Sequence, residues 1–453
     1  MAVKTNSVDM INGGLWRKIL KFSLLFMLTA FLQKLYNAAD IIVVGRYAGS
    51  EALAGVGTCT SLVNLFLNFI LGFSAGVTIV LGQSIGARDR EGIGKTVHTA
   101  FAIAITGGLI ITFICFFFSD KLLNLIDVPK DVFPQAQIYL KIVSLGFAPA
   151  LTYNFGAAIL RAKGDTKRAL YIVTASGIIN VGLNLLFVCV FKMKADGVAL
   201  ATIISQIFTA VAILYILTHE EDETRLYLHK VRIYKKPFLK IIRFGLPSGI
   251  QSSVYSMSNM LVQSSVNGFG SAAIAGSSAS TSITSFYNVM VNSLYHGAVV
   301  FISQNFGAKK FDRIKKTILI CMTYCMAIWA FQSVITFFLG ERLLSIYAPD
   351  DIDVIKMGMI KLSLIGYCYG FIGIMEIMSG ALRGMGASFL NMITSVAGVC
   401  GIRILWILTA FKAIGTFRSL FWCYPLSWIG TFIFHTIMFI ILFNKEKKKA
   451  QLG

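Results

Sequence analysis

The side chain best placed to do chemistry in this chain is Asp40, in the stretch LYNAADIIVVGRYAGS at residues 35–50. It follows Ala39 and precedes a run of β-branched aliphatics, where an uninterrupted apolar helix would be expected. An ionised carboxylate costs about 2.5–3.5 kcal/mol at the centre of a membrane span on insertion scales, and somewhat less nearer the end. Asparagine would fill a purely structural role at lower cost, so the acid points to proton exchange or cation attraction. Counted from Arg46 at the end of the span, Asp40 lies roughly 9 Å deep. Asn184 counted from Lys192, Thr202 from Asp196 and Tyr139 from Asp131 come out about 9–12 Å deep. Asn180 and Tyr36 lie one turn deeper than Asn184 and Asp40, on the same helix faces. These six residues could form a single polar layer. For Asn, Thr and Tyr the plainer alternative is hydrogen bonding between helices, worth under about 1 kcal/mol each.

The second half of the chain carries its own intramembrane charges. Glu376 and Arg403 fall within apolar spans, and counting from Gly386 places them about 10 Å apart along the membrane normal. Glu376 can serve a structural network or a second cation site, and Arg403 can simply pin helices together. Lys34 is a possible counter-ion to Asp40, although positions i and i+6 do not share a helix face. Lys141 and Lys361 lie near span ends, where their amines can snorkel to the interface. His296 and His435 read as core histidines. The eight cysteines fall in apolar spans without a C-x-x-C or a histidine partner, which suits small buried hydrophobes. No H-E-x-x-H, paired catalytic aspartates, Ser–His set or P-loop occurs at workable spacing, so neither an intramembrane enzyme nor an intrinsic ATPase is expected.

The elements that must hold these residues follow from composition. The chain is 453 residues long, 56% hydrophobic and 14% charged, too apolar for a soluble protein to bury. Twelve spans are predicted, near 17–42, 52–82, 96–118, 133–160, 170–191, 196–217, 239–265, 272–303, 317–339, 355–382, 389–411 and 415–443. No cleavable secretory signal is expected. With the N-terminus inside, the inner segments hold 28 Lys and Arg and the outer loops 7. That bias predicts both termini in the cytoplasm. It also assigns the net charge of +20 to topology and anionic-lipid contact rather than to nucleic acid.

An internal repeat organises the spans. YAGSEALAGVGTCTS (47–61) aligns with GFGSAAIAGSSASTS (268–282), and GQSIGAR (82–88) with SQNFGAK (303–309), at an offset of 221. ILRAKGDTK (159–167) aligns with ALRGMGASF (381–389) at 222, which makes Glu376 the counterpart of Asn154. Six spans per copy is an even number, so the copies are parallel repeats about an axis along the membrane normal. The expected fold is all-α and polytopic, with two six-helix lobes at 1–217 and 239–453 joined by a cytoplasmic linker at 218–238. A cleft between two such lobes, opened to alternate sides, is the architecture of a transporter.

The motifs ADIIVVGRYAG, GQSIGARD, ILRAKGDTK and SGALRGMGAS, taken in register over nearly the whole chain, resemble the multidrug and toxic compound extrusion (MATE) family. The resemblance implies two six-helix lobes in a V and export of organic, often cationic compounds driven by an H⁺ or Na⁺ gradient. It places Asp40 at the family's acidic position late in the first span, with Tyr36, Tyr139, Asn154, Asn180 and Thr202 matching the polar residues around it. Position 184 departs from the pattern, since the family often has a second Asp where this chain has Asn184. A Na⁺ site at Asp40, Asn180, Asn184 and Thr202 would therefore hold one negative charge, which favours H⁺ as the coupling ion.

The expected protein is a monomeric plasma-membrane antiporter for small organic substrates, surrounded by lipid, with no cofactor, no resident metal and no nucleic-acid partner. A flippase for a lipid-linked oligosaccharide shares the two-lobe design. It would need several cationic residues in its cleft to hold pyrophosphate, and Arg403 and Lys34 are the candidates present. Abundant Phe and Met suit both an adaptable apolar cleft and a lipid-facing surface.

Overall fold

The computed structural model describes residues 8–43, 47, 50–126, 128–129, 132–349 and 351–452, with backbone alone at 41, 50–56, 58, 60–61 and 64–65. Arg46 and Asp131, the reference points for two of the depth counts, and Gly49 of the repeat lie outside the described residues. Among those described there is no strand.

Among the described residues twelve longer helical segments are labelled in chain order, the short helix Ser119–Leu125 between the third and fourth being left unlabelled. They are α1 (Trp16–Val43), α2 (Ser50–Gly86), α3 (Arg90–Phe117), α4 (Phe133–Ser144 with Phe147–Lys163), α5 (Lys167–Val190) and α6 (Ala195–Thr218). Then follow α7 (Lys235–Asn267), α8 (Ser271–Gly307), α9 (Phe311–Ser345), α10 (Ile352–Gly384), α11 (Ser388–Ile414) and α12 (Phe417–Leu452). Among the described residues nine helices are long and apolar enough to cross a membrane, and the bent α4 makes up to ten. The chain is thus a multi-pass membrane protein. The other two, α7 and α8, have the length but are rich in serine. Several helices run past their apolar stretch; α12 carries on through its terminal lysines.

The repeat is written in the backbone. Arg88 and Lys309, 221 positions apart, take left-handed φ values of 56° and 54°. Gly164 and Gly386, 222 apart, follow at 92° and 84°. The π-helical turns Leu185–Val190 in α5 and Ile407–Phe411 in α11 begin 222 positions apart.

The described chain forms two compact units. One contains Leu28–Gly249, and the other Asp9–Met27 together with Ile250–Gly453. These units do not coincide with the segments 1–217 and 239–453 expected from the sequence. The first part of α1 belongs with the later helices, and the first part of α7 with the earlier ones. Met27 and Gly249, where the two helices pass from one unit to the other, are again 222 positions apart.

Packing explains the exchange. In the first unit, α2 and α7 carry the small-residue motifs GFSAG (72–76) and GLPSG (245–249). A Cβ on Gly72 would come within 2.7 Å of the Gly249 backbone, and one on Gly76 within 2.6 Å of the Ile241 carbonyl. Such contact requires glycine. In the second unit, Ser23 of α1 lies against Gly297 of α8, and Phe22 meets Phe301 edge-on with ring centroids 6.0 Å apart. The Asn305 side chain donates to the Met10 carbonyl at 3.1 Å. Within this unit α10 is the central element, packed by α8, α9 and α12.

The linker is docked rather than loose. The Tyr227 amide donates to His98 Nε2 at 3.1 Å, and the Tyr234 amide to Thr99 Oγ1 at 3.2 Å. Lys163 pairs with Glu220 and Asp222, and Arg168 with Asp165 and Glu220. Burial alone would push the Asp222 carboxyl up; the bonds from Lys163 and Thr224 outweigh it and hold it below its ordinary value.

Helix α4 bends by 47° between Ser144 and Phe147. Pro149, just beyond, has no N–H to offer the Leu145 carbonyl, which leaves the ladder open at the break.

Candidate functional site

Asp40 sits in the last turns of α1, half-buried, three residues before the helix ends at Val43. Its carboxylate accepts a hydrogen bond from the side-chain amide of Asn184, which is fully buried on α5. The same amide nitrogen also donates to Asn180 Oδ1 at 3.3 Å, one turn away on α5. Asn180 in turn donates to Ser205 Oγ on α6 at 3.4 Å, and Ser205 Oγ donates to the Thr202 carbonyl at 2.8 Å. A polar chain therefore runs from α1 through α5 to α6, inside one unit. Asn184 stands at the end of the α-helical part of α5, directly before its π turn. π turns of this kind widen the backbone and recur at functional positions.

The other expected residues divide. Tyr36, one turn from Asp40, donates to the Thr174 carbonyl at 3.3 Å, with its ring against Gly177. A Cβ at Gly177 would stand 1.9 Å from that ring, so the glycine makes the seat. Tyr139 is buried in a core with Cys59, Ala136 and Val198, within electrostatic reach of Asp40. The Thr202 hydroxyl bonds its own helix at Val198, and its carbonyl carries the link to Ser205. Asn154 also turns back on its own helix, donating to the Ala150 carbonyl at 2.8 Å. The structure thus joins Asp40, Asn184 and Asn180 directly and Thr202 through Ser205. Among the described residues Asn154 makes no bond to that chain.

Chemically, among the described residues, Asp40 is a carboxylate held by the neutral amide of Asn184. Asn184 Oδ1, beside it, is buried without a partner and is a ready acceptor for a proton carried on Asp40 or a ligand for a cation. Among the described residues no group of three or more His, Cys, Asp or Glu is arranged to hold a metal.

The second unit contains a larger polar network. Arg383 of α10 donates to the Tyr295 hydroxyl and, at 2.7 Å, to Gln251 Oε1. Asn391 donates to the same oxygen at 3.0 Å, and Gln251 Nε2 reaches the Tyr255 hydroxyl at 3.2 Å. Glu376 stands two turns before Arg383 on α10, in electrostatic reach of it and of Tyr255, Tyr295 and Tyr369. Arg383, rather than Arg403, is the cation that faces Glu376. Arg403 lies in a separate cluster, bonded to Asn259 at 2.9 Å and Ser427 at 3.2 Å, with its guanidinium 4.3 Å from the Tyr424 ring centre.

Arg383 falls just past the predicted span 355–382, whereas it is 8% exposed inside α10. The signal was its place in the repeat, as the counterpart of Arg161 in ILRAKGDTK. Lys361 also differs from expectation. Its amine does not snorkel but donates to Ser277 Oγ at 2.8 Å, Thr281 Oγ1 at 2.6 Å and the Ser277 carbonyl at 3.1 Å. Those three acceptors match the three ammonium hydrogens, and the Phe421 ring covers the group at 5.3 Å.

A sequence model of the MatE family matches residues 26–186 and 247–408, two stretches that begin 221 positions apart. The chain is 29% identical over 388 residues to the probable multidrug resistance protein YpnP of Bacillus subtilis strain 168, covering 84% of each chain. It is 23% identical over 453 residues to the probable multidrug resistance protein NorM of Thermotoga maritima, covering 96% of this chain and 94% of that one. Among solved structures, its fold is similar to a MATE transporter in a bent conformation, with a TM-score of 0.90 at 19% identity over 98% of this chain and all of that chain.

Proposed function

The chain belongs to the MatE family of membrane transporters, and from that premise we propose that it is a secondary active antiporter exporting organic compounds, chiefly cationic and drug-like, in exchange for protons. Relatives named for multidrug resistance and multidrug export support the substrate class. The observation that carries proton coupling is the bond between Asp40 and Asn184. A Na⁺ site draws on several oxygen ligands and fixed negative charge; here one carboxylate accepts from the Asn184 amide, which is linked through Asn180 to the Ser205 hydroxyl. A proton neutralises such a carboxylate outright and removes the cost of holding it in the span. In the proposed cycle, protonation of Asp40 releases the Asn184 amide, lets α1 repack against α5 and favours the outward-open state of alternating access. The protein works as a monomer in the plasma membrane with both termini cytoplasmic, without a cofactor.

Transport in proteoliposomes tests this reading, with a fluorescent organic cation and one gradient imposed at a time. A pH gradient without Na⁺ is expected to drive uptake or efflux. Transport driven by Na⁺ at equal pH, and not by the pH gradient, would overturn proton coupling. Asn184→Asp adds the missing charge and is expected to raise the Na⁺ response.

A further inference from the structure

A cavity of about 380 Å³ lies in the second unit, where the turn between α8 and α9 meets the end of α12. Lys309, Lys310, Arg313 and Lys447 line it, with Asp312 the acid among the lining residues. Among the described residues none of these four cations forms an ion pair with a carboxylate. Lys310 spends its amine on neutral oxygens, the Ile11 carbonyl at 3.1 Å and Asn12 Oδ1 at 2.9 Å. Arg313 does the same, donating to the Gly13 and Met10 carbonyls. Their charge is therefore positioned but not neutralised. Lys309 and Lys447 complete the wall.

The repeat supplies an internal comparison. The equivalent turn of the first unit has the same backbone, with the amides of Ala87, Arg88 and Asp89 bonded to the carbonyls of Gln83, Ile85 and Ser84. The amides of Ala308, Lys309 and Lys310 bond Gln304, Phe306 and Asn305 in the same way. The side chains differ. In the first unit Asp89 caps α3 by accepting from the Gly92 amide, and Arg90 pairs with Glu223 of the linker at 2.9 Å. In the second, Lys310 occupies the cap position of α9 and its side chain accepts nothing. One copy of the turn caps its helix with Asp89 and pairs Arg90 with Glu223, and the other gathers cations around open space.

The position of the cavity identifies the anion that fits. Leu319 on α9 and Ile441 on α12 are exposed apolar residues of membrane-crossing helices. They lie eight residues past Phe311 and six before Lys447, about 9–12 Å along the helix axes from the cavity. That is the step from hydrocarbon to headgroup. Basic pockets at this level hold lipid phosphates.

We propose that this cavity is a binding site for the phosphate headgroup of an anionic phospholipid, taken from the leaflet that faces the basic loops. The ammonium groups of Lys309 and Lys447 bond the phosphate oxygens, with Lys310 and Arg313 adding charge behind them.

The experiment uses the full chain in detergent, titrated with phosphatidylglycerol, phosphatidylcholine or inorganic phosphate and read by native mass spectrometry. One phosphatidylglycerol is expected to bind ahead of phosphatidylcholine, and Lys309→Gln with Lys447→Gln should weaken it by roughly ten- to thirtyfold. Arg88→Gln, at the equivalent turn of the first unit, should leave binding unchanged. Lys447→Gln alone, near the end of α12, should weaken binding by several-fold and serves if the left-handed turn does not tolerate Lys309→Gln. Binding as tight in both lysine variants as in the wild type would overturn the site. An equal loss in Arg88→Gln would mean diffuse attraction, and displacement by millimolar inorganic phosphate would mean a soluble anion; either overturns the lipid assignment.

Discussion

Asp40 is the one acid in α1, and among the described residues its carboxylate accepts a hydrogen bond from the amide of Asn184. Asp40→Asn keeps the shape and a hydrogen bond to position 184 but removes the exchangeable proton. The expected outcome is normal expression and folding with efflux close to background in cells loaded with a fluorescent cation. Efflux at the wild-type rate would move the coupling step to Glu376 and its phenol-lined surroundings in the second unit. The contact between Asp40 and Asn184 was legible in the sequence because depth in a membrane helix follows residue number at about 1.5 Å per residue. Rotation about the helix axis does not follow as simply. That is why Asn154, matched by resemblance, turns out to serve its own helix, and why Ser205 was overlooked although it lies one turn past Thr202.

At the scale of elements, the crossing of α2 and α7 in the first unit is a backbone approach that only glycine permits. Gly72→Ala places a methyl group 2.7 Å from the backbone of Gly249, where no side chain can swing aside. A loss of about 1–3 kcal/mol is expected, seen as a lower thermal midpoint in detergent. Gly182→Ala meets nothing within 4 Å and should be neutral or slightly stabilising. If both substitutions behave alike, the crossing is not tight. Apart from the serine-rich α7 and α8, the segments have the length and apolarity each needs to cross about 30 Å of hydrocarbon, and were legible for that reason. The crossing was not, because GFSAG and GLPSG acquire meaning only once the two helices are known to meet. Arg383 was misjudged for a related reason. Charges near span ends are assigned to loops by default, yet α10 continues to Gly384 and buries its arginine against Tyr295 and Gln251.

For the whole molecule, the repeat reaches from sequence identities to left-handed turns, π turns and the points where α1 and α7 change units. Parallel repeats would put the linker and the C-terminal lysines on one side of the membrane, and the charge bias predicts that side to be the cytoplasm. Single cysteines placed at residues 218–237 and 445–449 of a cysteine-free variant should resist an impermeant thiol reagent added to intact cells and react after lysis. Labelling of both from outside would overturn the twelve-span topology. The exchanged helices also carry a consequence for how the chain is made. Helix α1 leaves the ribosome before α8, so Phe22 and Ser23 emerge when their partners Phe301 and Gly297 do not yet exist. The Met10 carbonyl waits for an amide 295 residues away. The earlier helices, in turn, lack the glycine face of α7 until synthesis has passed Gly249. Neither unit can therefore finish as an independent product of its own half of the message. A truncated chain released near residue 217 would leave Gly72 and Gly76 of α2 without their α7 partner, a natural mark for quality control to read.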